Sequence, residues 1–344
     1  MSDVLPADMA AELARSDRAA YFEQRIFVLS PFGTAMTALL IFLVLAGSYL
    51  LAMRLDGAAI LATKNLDTLR LALTLSLLMT VILAAQRFAR QRERADVHAL
   101  ARVLKGGLGQ AKDATKLTPD DANLLSATLV GLVIGAAADW FFYFHGSGSA
   151  ALFSRIWFSL ITLLLVLSFV RGAELTRTGG RGSVAMIKQY LVIDLLRIEE
   201  LSVWGRGAAR FALIWFSISA VSCLLFVSAS KILTAVFLLG CLTMGIVSFM
   251  RMMEPIHRQI RAAKAAEMER VRADIDRVRG GMAQNADLAV RLQGLLAYET
   301  RIAAVPEWPF DQTTLVRVGA SALILTVPWF GQAVAGYVIE HLAH

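Results

Sequence analysis

Cysteine and histidine are nearly absent: the 344 residues contain 2 of the first and 5 of the second. Two cysteines, Cys223 and Cys241, cannot make a disulfide framework. They lie 7 and 11 residues from Ser230 in consecutive apolar runs, so their depths differ by about 6 Å, and both read as buried reduced thiols. His98, His145, His257, His341 and His344 are scattered, and the closing His341–His344 pair lacks the intervening glutamate of a zinc helix. No nucleophile elbow, P-loop or dinucleotide fingerprint is present. Gly106, Gly107 and Gly109 ahead of Lys112 fall between helical stretches, where they read as a helix stop rather than a phosphate cradle. These absences argue against an enzyme and against any bound cofactor or metal. Charge is also scarce, at 18% of residues against the usual ~25%. The net charge of +7 comes without a zinc-finger, helix-turn-helix or aromatic platform pattern, so no nucleic-acid partner is expected.

Apolar residues fill the space that charge vacates. They make up 57% of the chain, against ~45–50% in soluble domains, and mean hydropathy is +0.60. Seven apolar runs stand out, at roughly 33–53, 69–86, 124–144, 152–170, 211–229, 232–250 and 318–338. Each has the ~20 residues that cross a ~30 Å hydrocarbon core as a helix. The expected fold class is therefore all-α: a polytopic membrane protein with seven transmembrane helices, N-terminus in, C-terminus out, and long cytoplasmic helical extensions.

Orientation is read from the cations. Segments 1–32, 87–123, 171–210 and 251–317 hold 3, 8, 7 and 11 Lys and Arg, which is 29 of the 34. The opposite side keeps Arg54, Lys64, Arg70, Arg155 and Lys231. Short basic loops stay in the cytoplasm, so this partition puts the N-terminus inside. The basic inner face is expected to meet anionic lipid. Asp3, Asp8, Glu12, Arg15, Asp17 and Arg18 before the first run leave no cleavable signal peptide. A bacterial inner membrane is the expected location, multi-pass.

The domain plan has four parts. Residues 1–32 read as an N-terminal cytoplasmic amphipathic helix. Residues 33–250 hold spans 1–6 as three hairpins, with cytoplasmic helical segments at 87–123 and 171–210. Residues 251–317 form a cytoplasmic helical hairpin, and 318–344 supply the seventh span and a short outer tail. Boundary signals refine this plan. Ser30-Pro31 reads as cap and first residue of span 1, and Thr118-Pro119-Asp120-Asp121 as the start of span 3. Span 2 meets no breaker before Gly106 and is expected to run on into the cytoplasm. A separate helix is expected over 183–204, from Ser183 to the stop at Gly205-Arg206-Gly207, with Ile187, Leu191, Leu195, Ile198 and Leu201 as its stripe. Ile256–Arg279 and roughly 285–304 pair as an antiparallel hairpin across Gly280-Gly281, the second helix presenting Leu288, Leu292, Leu295, Glu299 and Ile302. Trp308 then suits the interfacial belt.

Functional candidates are the polar residues within the spans. Asp139 and Arg155 are each eight residues from Ser147 and so read as a polar pair, either a structural pin or the mouth of a path, with separate snorkelling of the two groups as the alternative. Gly131 and Gly135 form a GxxxG packing face, towards span 4 or towards another subunit. In span 7, Pro328 frees a carbonyl and Gln332 adds an amide one turn on, which reads either as a kinked, buried structural helix or as a helix beside a hydrated path. Ser217, Ser219 and Ser222 could add polar lining or simply pack closely. The seven-span, N-inside layout with bulky cytoplasmic helices resembles that of insect chemoreceptor channels. The resemblance is of layout alone, so no residue role follows from it. The leading expectation is a homo-oligomeric channel or passive transport protein for an ion or small solute. The alternative is a membrane-anchored sensor or scaffold that binds a cytoplasmic protein partner through 256–304.

Overall fold

A computed structural model describes residues 22–58, 63–95, 103–104, 121–140, 152–227, 231–281, 287–308 and 319–320. Eight α-helices carry these segments. They are α1 (Phe22–Leu29), α2 (Thr34–Leu55), α3 (Thr63–Ala95), α4 (Asp121–Asp139), α5 (Leu152–Tyr190), α6 (Ser202–Ser222), α7 (Lys231–Gly281) and α8 (Asp287–Ala303). Short 3-10 turns, Ile198–Leu201 and Cys223–Val227, bracket α6. Among the described residues the only β-type pairing is one isolated bridge, Leu104 to Leu191.

Among the described residues six helices are long and apolar enough to cross a membrane: Thr34–Leu55, Asn65–Ala89, Ala122–Asp139, Leu152–Tyr190, Ile198–Leu225 and Leu238–Gly280. The protein is an all-helical, multi-pass membrane protein by this measure. Except for 319–320, the seventh run, with Pro328 and Gln332, lies outside the described residues, as do residues 1–21 and the glycines at 106, 107 and 109.

Local chemistry sets the helix ends, not always where the sequence signals pointed. Ser30-Pro31 does not open α2. Proline disfavours helix in the residue before it, so α1 stops at Leu29 and the pair makes a turn. Thr37 Oγ1 ties that turn by donating to Ser30 Oγ at 2.8 Å, and α2 starts after Gly33, which offers no side-chain cap. At its far end α2 closes with Gly57 at φ +71°, the left-handed conformation that glycine adopts without strain. The amides of Gly57 and Ala58 then satisfy the carbonyls of Arg54 and Met53, both at 3.0 Å, the pairing of a Schellman motif.

The 183–204 segment is corrected most. α5 runs unbroken from Leu152 to Tyr190, straight through Gly172, Gly179, Gly180 and Gly182. Internal bonds support that stretch. Thr176 Oγ1 donates to the Gly172 carbonyl at 2.9 Å, and Arg177 forks onto both Glu174 carboxylate oxygens at 2.7 Å each. The break comes later, at Leu191, where the amide of Val192 pairs with the Val103 carbonyl at 2.9 Å. Gly205 and Gly207 lie inside α6 rather than ending a helix. Gly205 is buried, and Ala208 and Ala212 continue a small-residue face onto which α7 packs.

Two clusters fill the interior. One centres on Tyr49, Leu78, Ile82, Trp157, Phe158, Ile161 and Cys241, among the spans. The other gathers Ile187, Trp204, Ala208, Phe216, Met253, Ile256 and Ile260 where α5, α6 and α7 reach the basic end of the bundle. Cys223 and Cys241 are both buried and unbridged.

Candidate functional site

The end of the bundle that holds the α2–α3 turn is organised by Asp56. Its two carboxylate oxygens accept from the amides of Phe153 at 3.0 Å and Ser154 at 2.8 Å. Those amides belong to the first turn of α5, which has no intrahelical partner for them. Burial raises the Asp56 carboxyl, but the hydroxyl and amide of Ser154 and the amide of Phe153 outweigh it, and the net displacement is below the ordinary aspartate value. Beneath this cap Trp157 Nε1 donates to Ser48 Oγ at 2.9 Å, Phe158 meets Tyr49 and Trp157 edge to face with centroids 5.3 Å apart, and Tyr49 lies tilted against Trp157 at 4.9 Å. Sequence reasoning missed Asp56, because an acid just past a helix reads as a solvated turn.

Asp139 closes α4 and Arg155 stands in the first turn of α5. Gly131 and Gly135 fix the register between these helices. A Cβ on Gly131 would lie 3.2 Å from the Leu167 Cα, and one on Gly135 would lie 3.4 Å from the Leu163 Cα. The two glycines therefore seat α4 directly on α5. Continued by one turn, this register sets Asp139 level with Ser159, and Arg155 about 6 Å nearer the helix end. A guanidinium must fold back one turn to meet the carboxylate, whereas counting from Ser147 makes them level. One carboxylate oxygen of Asp139 is buried and accepts no hydrogen bond from the described residues.

Most hydroxyls in the spans are consumed by their own helices. Thr74, Ser76 and Thr80 of α3 each donate to the carbonyl four residues back at 2.8 Å. Ser217 and Ser222 of α6 do the same at 2.8 and 2.6 Å. Ser219 differs: it is fully buried and its Oγ has no partner among the described residues. Polar lining appears instead at Gln86. Its Nε2 reaches towards the Ser168 carbonyl at 3.5 Å, and it borders a cavity of about 70 Å³ with Ser168, Gly172, Thr176, Phe211 and Trp215. Gln86 sits just where span 2 becomes basic, so the charge pattern concealed it.

The α7–α8 hairpin is held by polar bonds across its length. Tyr298 donates to Glu267 at 3.1 Å, Arg272 pairs with Glu299 at 3.0 Å, and Lys264 Nζ donates to the Ala303 and Val305 carbonyls at 2.7 and 2.8 Å. Burial and the bond to Glu267 both raise the Tyr298 phenol. Leu288, Leu292, Leu295, Glu299 and Ile302 all fall on the less exposed side of α8, with Ile302 fully buried. Trp308 stacks on His257 at 4.2 Å and 12°, and His257 Nδ1 donates to the Glu307 carbonyl at 3.0 Å. Gln259 adds a bond from α7 to the Ile187 carbonyl at 2.8 Å.

Among the described residues no three His, Cys, Asp or Glu side chains converge as a metal site. No protein family, no characterised protein and no solved structure matches the chain.

Proposed function

We propose that this protein is a membrane-anchored sensor or scaffold that presents its α7–α8 hairpin to a cytoplasmic protein partner. One observation carries the reading: α7 continues for 51 residues from the bundle into the hairpin, without a break at Pro255. At 1.5 Å per residue that is ~76 Å of helix, more than twice the hydrocarbon thickness. The buried Met253, Ile256 and Ile260 fasten its middle to α5 and α6. Gln259 and the His257–Trp308 stack fasten it further. A displacement of the sixth span therefore moves the hairpin as one body, which suits a relay better than a tether.

The polar groups within the spans favour the same reading, since Thr74, Ser76, Thr80, Ser217 and Ser222 spend their hydroxyls on their own helices. A homo-oligomeric channel or passive transport protein is the second reading. It draws on the Gln86 cavity and on Pro328 and Gln332 in the seventh apolar run. In both readings 29 of 34 cations face the cytoplasm and its anionic lipid, and the host membrane is a bacterial inner membrane.

Purified protein reconstituted in liposomes separates the two. Ion or solute flux without any added partner supports the channel and sinks the relay. Tight liposomes, together with a protein that copurifies with the full chain and is lost when α8 is deleted, support the relay.

A further inference from the structure

A groove of about 300 Å³ lies between α2, α3 and the 3-10 turn after α6, apart from the Asp56 cap and the Gln86 cavity. Phe42 of α2, Leu69, Arg70, Leu73 and Leu77 of α3, and Leu224 after α6 line it. From Leu66 at one end to Leu77 at the other it follows α3 for ~16 Å, close to half of the ~30 Å hydrocarbon core. Its walls are apolar but for two residues. Thr74 is satisfied, its hydroxyl donating to the Arg70 carbonyl at 2.8 Å. Arg70 is not: it is exposed, and its guanidinium makes no ion pair or side-chain hydrogen bond with the described residues. Asp67, one turn earlier, does not line the groove.

We propose that this groove binds one phospholipid, with an acyl chain along Leu69, Leu73 and Leu77 and the phosphate held by Arg70. An ionised side chain at membrane depth needs a counter-charge or water. Arg70 is seven residues past Thr63, ~10 Å along α3, near enough for its stem to lift the guanidinium to the headgroup level. The planar fork of five donors matches a phosphate in a bidentate way. Charge and length thus select one occupant, a molecule with an anion at one end and a leaflet's depth of hydrocarbon at the other. The inference requires only that α2 and α3 cross a bilayer.

The test uses the full chain in nanodiscs doped with phosphatidylglycerol that carries a photoreactive group on its acyl chain. Label should concentrate on the peptide containing 66–77, several-fold above the lipid-facing Leu125, Leu129 and Val133 of α4. Diacylglycerol with the same photoreactive chain should label both places alike. Arg70→Leu should reduce the groove label about tenfold, and Arg70→Lys by less. Excess inorganic phosphate should leave it unchanged. If Arg70→Leu does not accumulate, Leu73→Trp, which fills the groove with Arg70 in place, should lower the label instead. Equal labelling of groove and α4, equal groove labelling by diacylglycerol, no loss in the variants, or full displacement by phosphate would each overturn the proposal.

Discussion

Asp56 shows how much a single side chain can fix when it serves a helix other than its own. It leaves the end of α2 and caps the first turn of α5, nearly a hundred residues on. Replacing a capping carboxylate by alanine costs about 1 kcal/mol, so Asp56→Ala should lower the melting temperature in detergent, and an unchanged Tm would mean that the cap is not formed. Because the folded carboxyl lies below its ordinary value of 3.8, this stability is present above that value and is lost as pH falls through the folded value. The Tm difference between the native chain and Asp56→Ala should therefore shrink on acidification. The partner lies too far along the chain for spacing to reveal it, so Asp56 was not legible in the sequence. Gly131 and Gly135 were, because small residues at that spacing have few roles in lipid. Gly245 was not, although a Cβ there would lie 2.7 Å from the Phe216 ring and 3.2 Å from the Trp215 Cβ. Gly245→Ala should destabilise by ~1–3 kcal/mol through overpacking, despite alanine's better helix propensity. A stabilised variant would show that α6 and α7 are not in this contact. For Asp139 and Arg155, a double-mutant cycle measures whether the guanidinium folds back across its turn. A coupling above ~0.5 kcal/mol shows that it does, and additivity places the two groups apart.

At the scale of elements, the sequence marked the hairpin and misplaced the break between α5 and α6. The hairpin was legible because its two faces differ: Leu288, Leu292, Leu295 and Ile302 recur at helical spacing in a segment otherwise rich in charge. The break was not. Leu191, Leu195 and Ile198 keep helical spacing, yet they serve a non-helical stretch that turns at Leu195 and enters the 3-10 turn at Ile198, packed on the Trp204 cluster. Glycines misled in the same region. Gly179, Gly180 and Gly182 weaken a helix by ~1 kcal/mol each relative to alanine. The Arg177–Glu174 fork and Thr178, which donates to Glu174 at 3.0 Å, act against that weakening. Hydrogen bonds from Arg177 hold the Glu174 carboxyl below its usual range. The hairpin itself is expected to depend on burial more than on its exposed ion pairs, which contribute little. Ile302→Ala should cost ~2–5 kcal/mol of local stability, while Arg272→Ala should cost under ~1. Hydrogen exchange of the α8 amides reads both. Equal, small effects would mean that α8 is not seated on α7.

Across the whole molecule, the helix-forming runs were legible because a bilayer imposes a simple demand, ~20 apolar residues per crossing. Six of the seven runs coincide with helices long and apolar enough to cross. Gln86 was not legible, because it looks ordinary until the neighbouring helices are in place, and nothing in the sequence set Ser219 apart from Ser217 and Ser222. The alternation of the helices gives the orientation a sharp test. α3, α5 and α7 each run past their apolar stretch into segments that hold most of the cations, and α2–α3 and α4–α5 are closed at the other end by residues 56–62 and 141–151. If cations set the orientation, all three extensions lie on one side. A reporter active only in the cytoplasm should then be active when fused after Arg94, Gly182 or Gly281, and silent at Gly148. Silence at Gly182 with activity at Gly148 would invert the bundle and remove the hairpin from the cytoplasm, and with it the proposed relay. Fusion at the C-terminus decides the seventh run: with the other sites as expected, silence there means that 318–338 crosses the membrane, and activity means that the chain crosses six times.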